Sequence, residues 1–457
     1  MIFNQFEFLF IFLPVVFLVF FWARPRLLRS SILLAASLAF YAFAGLEHAV
    51  VLVCGVIWVH LITASANMRG NRIRLFAAVT GPLLALTYYK YSQFLIGQVL
   101  RLDAAENDIV FSLFDNILLP AGISFFTFQL IAYAIDRYRD DLREPIPFID
   151  FALYVSFFPQ LVAGPIVRFS QVADGIRNLS DWQPRGNDIW IAIQYVTFGL
   201  AAKILVADTL ARYLAPLIST PAELAPGAAI YLVLGYSFQI YFDFYGYSLI
   251  AIGLGRFFGF QLPHNFLRPY ESLNPRDFWR RWHVTLSFWI RDYLYIPLGG
   301  NRRHIVNIVI IFAACGLWHG ASWTFVIWGL YHAVLVTGYA GLSRWWDKCP
   351  NLFQTALTFG LVSLGWVLFV FDFAETADFF SSLAGLGPAS VGAPGIDAWT
   401  MVLISAVLCF VVKFEAAAAW KGATIVSRSS YSAGLAILFF ASLMFLDISD
   451  TFIYFRF

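Results

Sequence analysis

Apolar run follows apolar run along almost the whole chain, separated by short charged loops, and that pattern leaves few architectures open. The runs fall at residues 8–22, 30–43, 48–66, 75–99, 117–135, 149–162, 189–210, 228–258, 305–316, 323–342, 352–371, 400–412 and 432–446. Inside a bilayer every backbone polar group has to be bonded within the protein, and long apolar runs meet that demand as helices. Hydrophobic residues make up 60% of the 457 and charged ones 13%, outside the range of soluble globular domains. The expected fold is an all-α polytopic membrane protein with about eleven transmembrane helices. Several runs are too short to span unaided, which predicts re-entrant and interfacial helices as well. With no soluble domain, low-complexity tract or internal repeat in view, residues 1–457 read as a single membrane-embedded domain.

Loop charge predicts orientation. Arg24, Arg26 and Arg29, then Arg69, Arg72 and Arg74, then Arg137, Arg139 and Arg143 follow alternate runs, which places those loops in the cytoplasm. The acidic stretch holding Asp103, Glu106, Asp108 and Asp115 faces outward on this reading, as does the one holding Glu375, Asp378 and Asp397. Lys413, Lys421 and Arg428 return to the inside, so both termini are expected outside. Residues 1–22 have no basic start and no small-residue cleavage site, and read as a retained first helix. The four cysteines, Cys54, Cys315, Cys349 and Cys409, show no CxxC spacing and read as small core hydrophobes.

Residues 277–320 interrupt the apolar pattern most sharply. DFWRRWHVTLSFWIRDYLYIPLGG is followed by an apolar run ending in LWHG. A charged side chain at the bilayer centre costs about 3 kcal/mol by insertion measurements. Arg280, Arg281, His283, Arg291, Asp292 and His319 are therefore expected to serve a function. Wound at about 100° per residue, the segment after Asp277 places Arg280, His283, Ser287 and Arg291 on one face. Phe278, Trp282, Leu286 and Trp289 take the other. Such a helix suits the interface, its arginines among lipid phosphates. It equally suits a site wall where arginines beside a histidine hold a phosphate-bearing donor. Ser287 has no GxSxG elbow and no acidic partner at motif spacing, so it reads as a polar lining residue. The seven histidines show no metal-ligand spacing, and no metal is expected. His319, between Trp318 and Gly320, is a lone ionisable group in an apolar stretch. It reads either as a core histidine bonded to a carbonyl or, neutral as apolar surroundings favour, as a general base.

FPQLVAGPIVR (158–168), YFDFYGYSLIAIGLG (241–255), DFWRRWHVTLSFWIRDYLYIPLGGNR (277–302) and GLWHGASWTFVIWG (316–329) together resemble the membrane-bound O-acyltransferase family. The likeness is closest to the bacterial branch that includes the alginate O-acetylation membrane subunit. It implies tilted helices around a central tunnel open to both faces, with acyl transfer to a hydroxyl. His319 takes the position of the family's catalytic histidine and His283 that of its second functional polar residue. Asp243, Arg280, Arg281, Ser287, Arg291 and Trp318 are the expected substrate-binding residues. Tyr245 and Leu249 stand where related chains often carry Ser and a second Asp, so an acidic contact is missing.

The chain shows no nucleotide-binding loop, so the donor has to arrive activated. Acetyl-CoA from the cytoplasm is the expected donor, as a substrate, with no tightly bound cofactor. The expected acceptor is an exported polysaccharide, alginate-like, or peptidoglycan, reached through a periplasmic acetyltransferase or SGNH-hydrolase-like partner. Membrane lipid surrounds the protein, and no nucleic acid is expected as a partner. Three alternatives stay open: D-alanyl transfer from a carrier protein, acylation of a lipid, and transport. In the tail DTFIYFRF, Tyr454 reads as an interfacial anchor or as an acyl relay, a phenol that takes the acyl group when a base such as His319 accepts its proton. A similar aromatic ending around a Tyr recurs in the branch that the chain resembles.

Overall fold

The computed structural model describes residues 2–64, 68–102, 117–184, 186–412, 425–446 and 452–453. The acidic stretch from Asp103 to Asp115, the basic Lys413 and Lys421, the side chain of Arg428, and Tyr454 lie outside these residues. Among the described residues the elements are helices, with one β-bridge between Leu224 and Val391. Four helices there are long and apolar enough to cross a membrane. Three shorter apolar helices, Phe8–Trp22, Ile396–Phe410 and Ser429–Met444, accompany them. An α-helix of 15 residues, the length of Ile396–Phe410, rises about 22 Å, less than the roughly 30 Å of bilayer hydrocarbon.

The chain divides into two compact units, Met1–Ala192 with Ala251–Pro263, and Ile193–Ile250 with His264–Phe457. The first contains α1 (Phe8–Trp22), α2 (Arg26–Ala42), α3 (Leu46–Thr63), α4 (Arg72–Leu86), α5 (Ile123–Arg139), α6 (Phe148–Ser156) and α7 (Phe169–Arg177). Leu61 on α3 and Phe76 on α4 are exposed, as a lipid-facing surface requires. Inside, Phe8 packs on Phe40 and Phe158 at 5.6 and 6.1 Å between ring centroids, and Phe158 packs on Phe258 at 5.8 Å.

Two sequence expectations change here. The run at 117–135 becomes helical only from Ile123, because Gly122 takes a left-handed conformation with φ 74°. A Cβ there would lie 2.6 Å from the Leu161 carbonyl oxygen, so only glycine admits the FPQL turn so closely. Arg29, read as a loop cation, is buried. It donates to the carbonyls of Ala23 at 2.8 Å and Trp182 at 2.7 Å, and its guanidinium lies 4.9 Å from the Phe20 ring centroid. Arg26 likewise pairs with Asp150 at 2.8 Å. Both cations bind internal acceptors as well as adding to loop charge.

The unit boundary falls within α8 (Gly186–Ile218) and α9 (Pro226–Phe257). The second unit continues with α10 (Pro275–Arg281), α11 (Val284–Ile290), α12 (His304–His319), α13 (Trp323–Trp346), α14 (Asn351–Val370), α15 (Phe373–Leu383), α16 (Ile396–Phe410) and α17 (Ile425–Met444). Within this unit α8 and α9 meet at Gly199 and Gly246. A Cβ on either would fall 2.6 or 2.7 Å from the other's carbonyl oxygen.

Candidate active site

His319 is placed by a helical hairpin. α12 and α13 are joined through residues 320–322, and Ser322 caps α13 by accepting the Thr324 N–H at 3.3 Å. A Cβ at Gly316 would lie 2.1 Å from the Phe325 oxygen, and one at Gly329 would lie 2.0 Å from the Phe312 oxygen. The two backbones touch, which accounts for the spacing of glycines in GLWHGASWTFVIWG. His319 ends α12, is 4% exposed, and meets Trp318, Trp328 and Phe369 at 4.8, 5.1 and 5.4 Å between ring centroids, all steeply inclined.

His283 does not sit on a continuous amphipathic helix, as the spacing predicted. Asn274 starts α10 by accepting the Asp277 N–H at 2.8 Å, with Pro275 in the first turn, but the helix stops at Arg281. Trp282 is extended and His283 is left-handed, with φ 44° and ψ 55°. The chain restarts as α11 because Asn265 holds it: its carbonyl accepts the Val284 N–H at 2.9 Å and its side-chain oxygen accepts the Thr285 hydroxyl at 2.6 Å. The His283 ring caps the new helix, Nδ1 accepting the Leu286 N–H at 3.2 Å. A neutral imidazole accepting at Nδ1 carries its proton on Nε2 and is a donor there. His283 lies outside the helices able to cross the membrane, and burial pushes its pKa down to about 3, which keeps it neutral.

One cavity of about 620 Å³ gathers these groups. It follows one face of α12 through His304, Ile308, Ile311, Phe312, Cys315 and His319. That face is about 22 Å long. Arg280, His283, Ser287 and Arg291 all line it, as the sequence suggested, together with Trp282 and Leu286 from what an unbroken helix would have made the far face. The break at His283 turns both faces of the segment toward one space.

The lining includes the cations Arg276, Arg280 and Arg291. Arg280 is exposed and makes no hydrogen bond or ion pair among the described residues, whereas Arg291 forks onto Asp292 at 2.6 and 3.0 Å. Ser287 donates to the Trp279 carbonyl at 3.1 Å, in keeping with a lining role. Three expected residues lie outside the lining. Arg281 pairs with Asp277 at 3.0 Å, and Trp318 packs between the two imidazoles, 6.2 Å from His283 and 4.8 Å from His319. Asp243 is held 2.7 Å from Lys203 Nζ, and its Oδ2 accepts the Ile453 N–H at 2.7 Å.

The lining also contains residues that the sequence reading passed over. Arg276 is four residues before Arg280, and Cys315 four before His319, so helical spacing alone could have found them. Cys315, read as a core hydrophobe, is buried and lines the cavity. Asn301 and His304 arrive through a turn at Gly299 and Gly300, left-handed at φ 100° and 54°, which Asn307 pins by donating to the Gly300 carbonyl at 2.8 Å. Tyr295 joins them, 2.7 Å from His304 Nδ1 and donating to Asn301 at 2.8 Å. No periodicity announces that turn.

Residues 83–371 match the model of MBOAT, the membrane-bound O-acyltransferase family, a stretch that includes all four motifs. The chain is 34% identical over 409 residues to the peptidoglycan O-acetyltransferase of Helicobacter pylori, covering 81% of this chain and 77% of that protein. It is 36% identical over 432 residues to the probable alginate O-acetylase of Pseudomonas aeruginosa, covering 90% and 81%. The teichoic acid D-alanyltransferase of Bacillus subtilis is 29% identical over 276 residues, covering 56% and 69%.

Proposed function

The chain belongs to the membrane-bound O-acyltransferase family, a multi-pass membrane acyltransferase, and from that premise we propose that it takes an acetyl group from cytoplasmic acetyl-CoA for O-acetylation of an exported polysaccharide. The observation that carries this reading is one cavity lined by His283 and His319, which pack about Trp318, and by Arg276, Arg280 and Arg291. Arginine forks suit the phosphates of a coenzyme, and a cavity that follows α12 for about 22 Å suits its extended thioester arm.

In the step proposed, an acceptor hydroxyl attacks the thioester carbonyl and passes its proton to His319. The end of a helix, where carbonyls collect, stabilises the positive charge that the ring then carries. The Nε2–H of His283 donates to the oxyanion. As the C–S bond breaks, the departing thiolate takes the proton back from His319. Trp279, whose indole N–H is buried without a hydrogen-bond partner among the described residues, supplies a further donor in the lining.

Transfer onward uses a periplasmic acetyltransferase or SGNH-hydrolase-like partner, with the chain in the inner membrane and both termini outside. Tyr454 follows directly on Ile453, which Asp243 holds, and we assign it the relay: its phenol oxygen takes the acetyl group as an aryl ester and gives it to the partner. The relatives' names span acetyl and D-alanyl transfer, so the donor is the part to test first. Purified protein is given labelled acetyl-CoA or a carrier-bound D-alanyl thioester, and the C-terminal peptide is read by mass spectrometry. Wild type should consume acetyl-CoA and label Tyr454, and monodisperse His319→Ala should do neither. Wild-type turnover by His319→Ala would end the assignment of the base, and use of the carrier thioester alone would end that of the donor.

A further inference from the structure

We propose that Lys203, Asp208 and Asp243 form a buried positioning cluster that docks the C-terminal tail and, through Phe452 and Phe244, sets the His283 imidazole. The inference rests on reading the cavity as the acyl-transfer site, but its anchor is separate from that cavity. Lys203 Nζ lies 2.6 Å from Asp208 and 2.7 Å from Asp243, and all three residues are buried, at 4%, 2% and 2% exposure.

Local geometry explains how an ammonium meets two carboxylates there. Residues Ala201–Ala207 of α8 form a π-helical turn, and the Asp208 N–H bonds to the Lys203 carbonyl. A turn that closes between i and i+5 puts Lys203 and Asp208 on one side, which an α-helical turn does not. Asp243 comes from α9, brought close where Gly199 and Gly246 let the two backbones touch. Burying a charged amine is costly unless it is paired, so the lysine fixes both carboxylates.

The fixed Asp243 then holds the tail. Its Oδ2 accepts the Ile453 N–H at 2.7 Å, and the preceding Phe452, 2% exposed, packs on Tyr247 at 4.7 Å and on Phe244 at 5.7 Å between ring centroids. Phe244 in turn meets the His283 ring at 4.8 Å. A continuous packed path therefore runs from the cluster through the tail to the group assigned to the oxyanion. Displacement of reacting groups by about 1 Å can cost up to a hundredfold in rate.

The test uses the full chain with a C-terminal epitope. Phe452→Ala and Asp243→Asn are compared with wild type for kcat and KM with acetyl-CoA, and for the rate at which carboxypeptidase removes the epitope. Both variants, as monodisperse protein, should lose the epitope faster and lose between about ten- and a hundredfold in kcat, with KM little changed. Phe452→Tyr, which keeps the ring, should restore both readouts. The double variant should be no worse than the worse single one, since both act through one path. Unchanged epitope protection in Asp243→Asn would overturn the docking role, whatever the activity. Faster removal with wild-type kcat would overturn the link to His283. Should acetyl-CoA prove not to be the donor, the epitope arm still reads the docking.

Discussion

Gly329→Ala tests whether the contact between α12 and α13 places His319. The added Cβ would sit 2.0 Å from the Phe312 carbonyl oxygen, against 3.4 Å for the start of ordinary contact. Because the obstacle is backbone rather than a flexible side chain, the helices have to part by between about 1 and 1.4 Å. Overpacking of this kind costs about 1–3 kcal/mol, and replacing glycine inside a helix returns up to about 1 kcal/mol. The net loss of stability should be about 3 kcal/mol or less. Activity should suffer more, since Phe312 and His319 line the same face of α12: a shift near 1 Å predicts a fall in kcat of up to about a hundredfold, about 2.7 kcal/mol of barrier. Gly338 on the same helix is the control, where a Cβ would meet nothing within 4 Å among the described residues beyond its own helical turn. Gly338→Ala should keep full activity and gain up to about 1 kcal/mol. Acetyl-CoA turnover and thermal unfolding of both purified variants in detergent give the comparison. If Gly329→Ala matches Gly338→Ala in both, the close backbone contact does not position the histidine.

Arg280→Glu should raise KM for acetyl-CoA at least tenfold, because an exposed arginine with no ion pair among the described residues is available to a phosphate, and added salt should narrow the gap. Arg281→Ala should leave that KM alone and cost at most about 1 kcal/mol, since it breaks only a partly exposed pair with Asp277; equal effects from the two would refute the assignment. His283 titrates near pH 3 when folded and near 6.5 when free, so between these values the unfolded chain binds a proton that the folded one does not. Stability should therefore fall as pH drops below about 6.5, by up to about 1.4 kcal/mol per pH unit from this group. His283→Asn, which suits both the left-handed backbone and the cap, should remove that share in an acid unfolding series. An unchanged acid slope would show that the ring is not held neutral.

Much of the site was legible because its signals are local. Residues three or four apart on a helix share a face, so spacing brought Ser287 and Arg291 together, and could have added Arg276 to Arg280 and Cys315 to His319. The apolar runs declared helices in a membrane, since the bilayer demands internal hydrogen bonding of any segment that crosses it. The glycines of GLWHGASWTFVIWG marked a motif without saying that two backbones touch there.

What spacing could not carry was anything set by groups far along the chain. The helix through residues 277–291 breaks because Asn265 takes the hydrogen bonds of Val284 and Thr285, and so His283 turns its ring back to cap α11. Asp243 looked like a substrate contact from its motif, yet Lys203 and the Ile453 N–H, 210 residues further on, occupy it. Composition and periodicity determine what a segment must bury, because solvent acts on each residue where it stands. The partner of a buried charge or a broken helix end is decided only when the fold closes, because desolvation requires a partner without specifying which one.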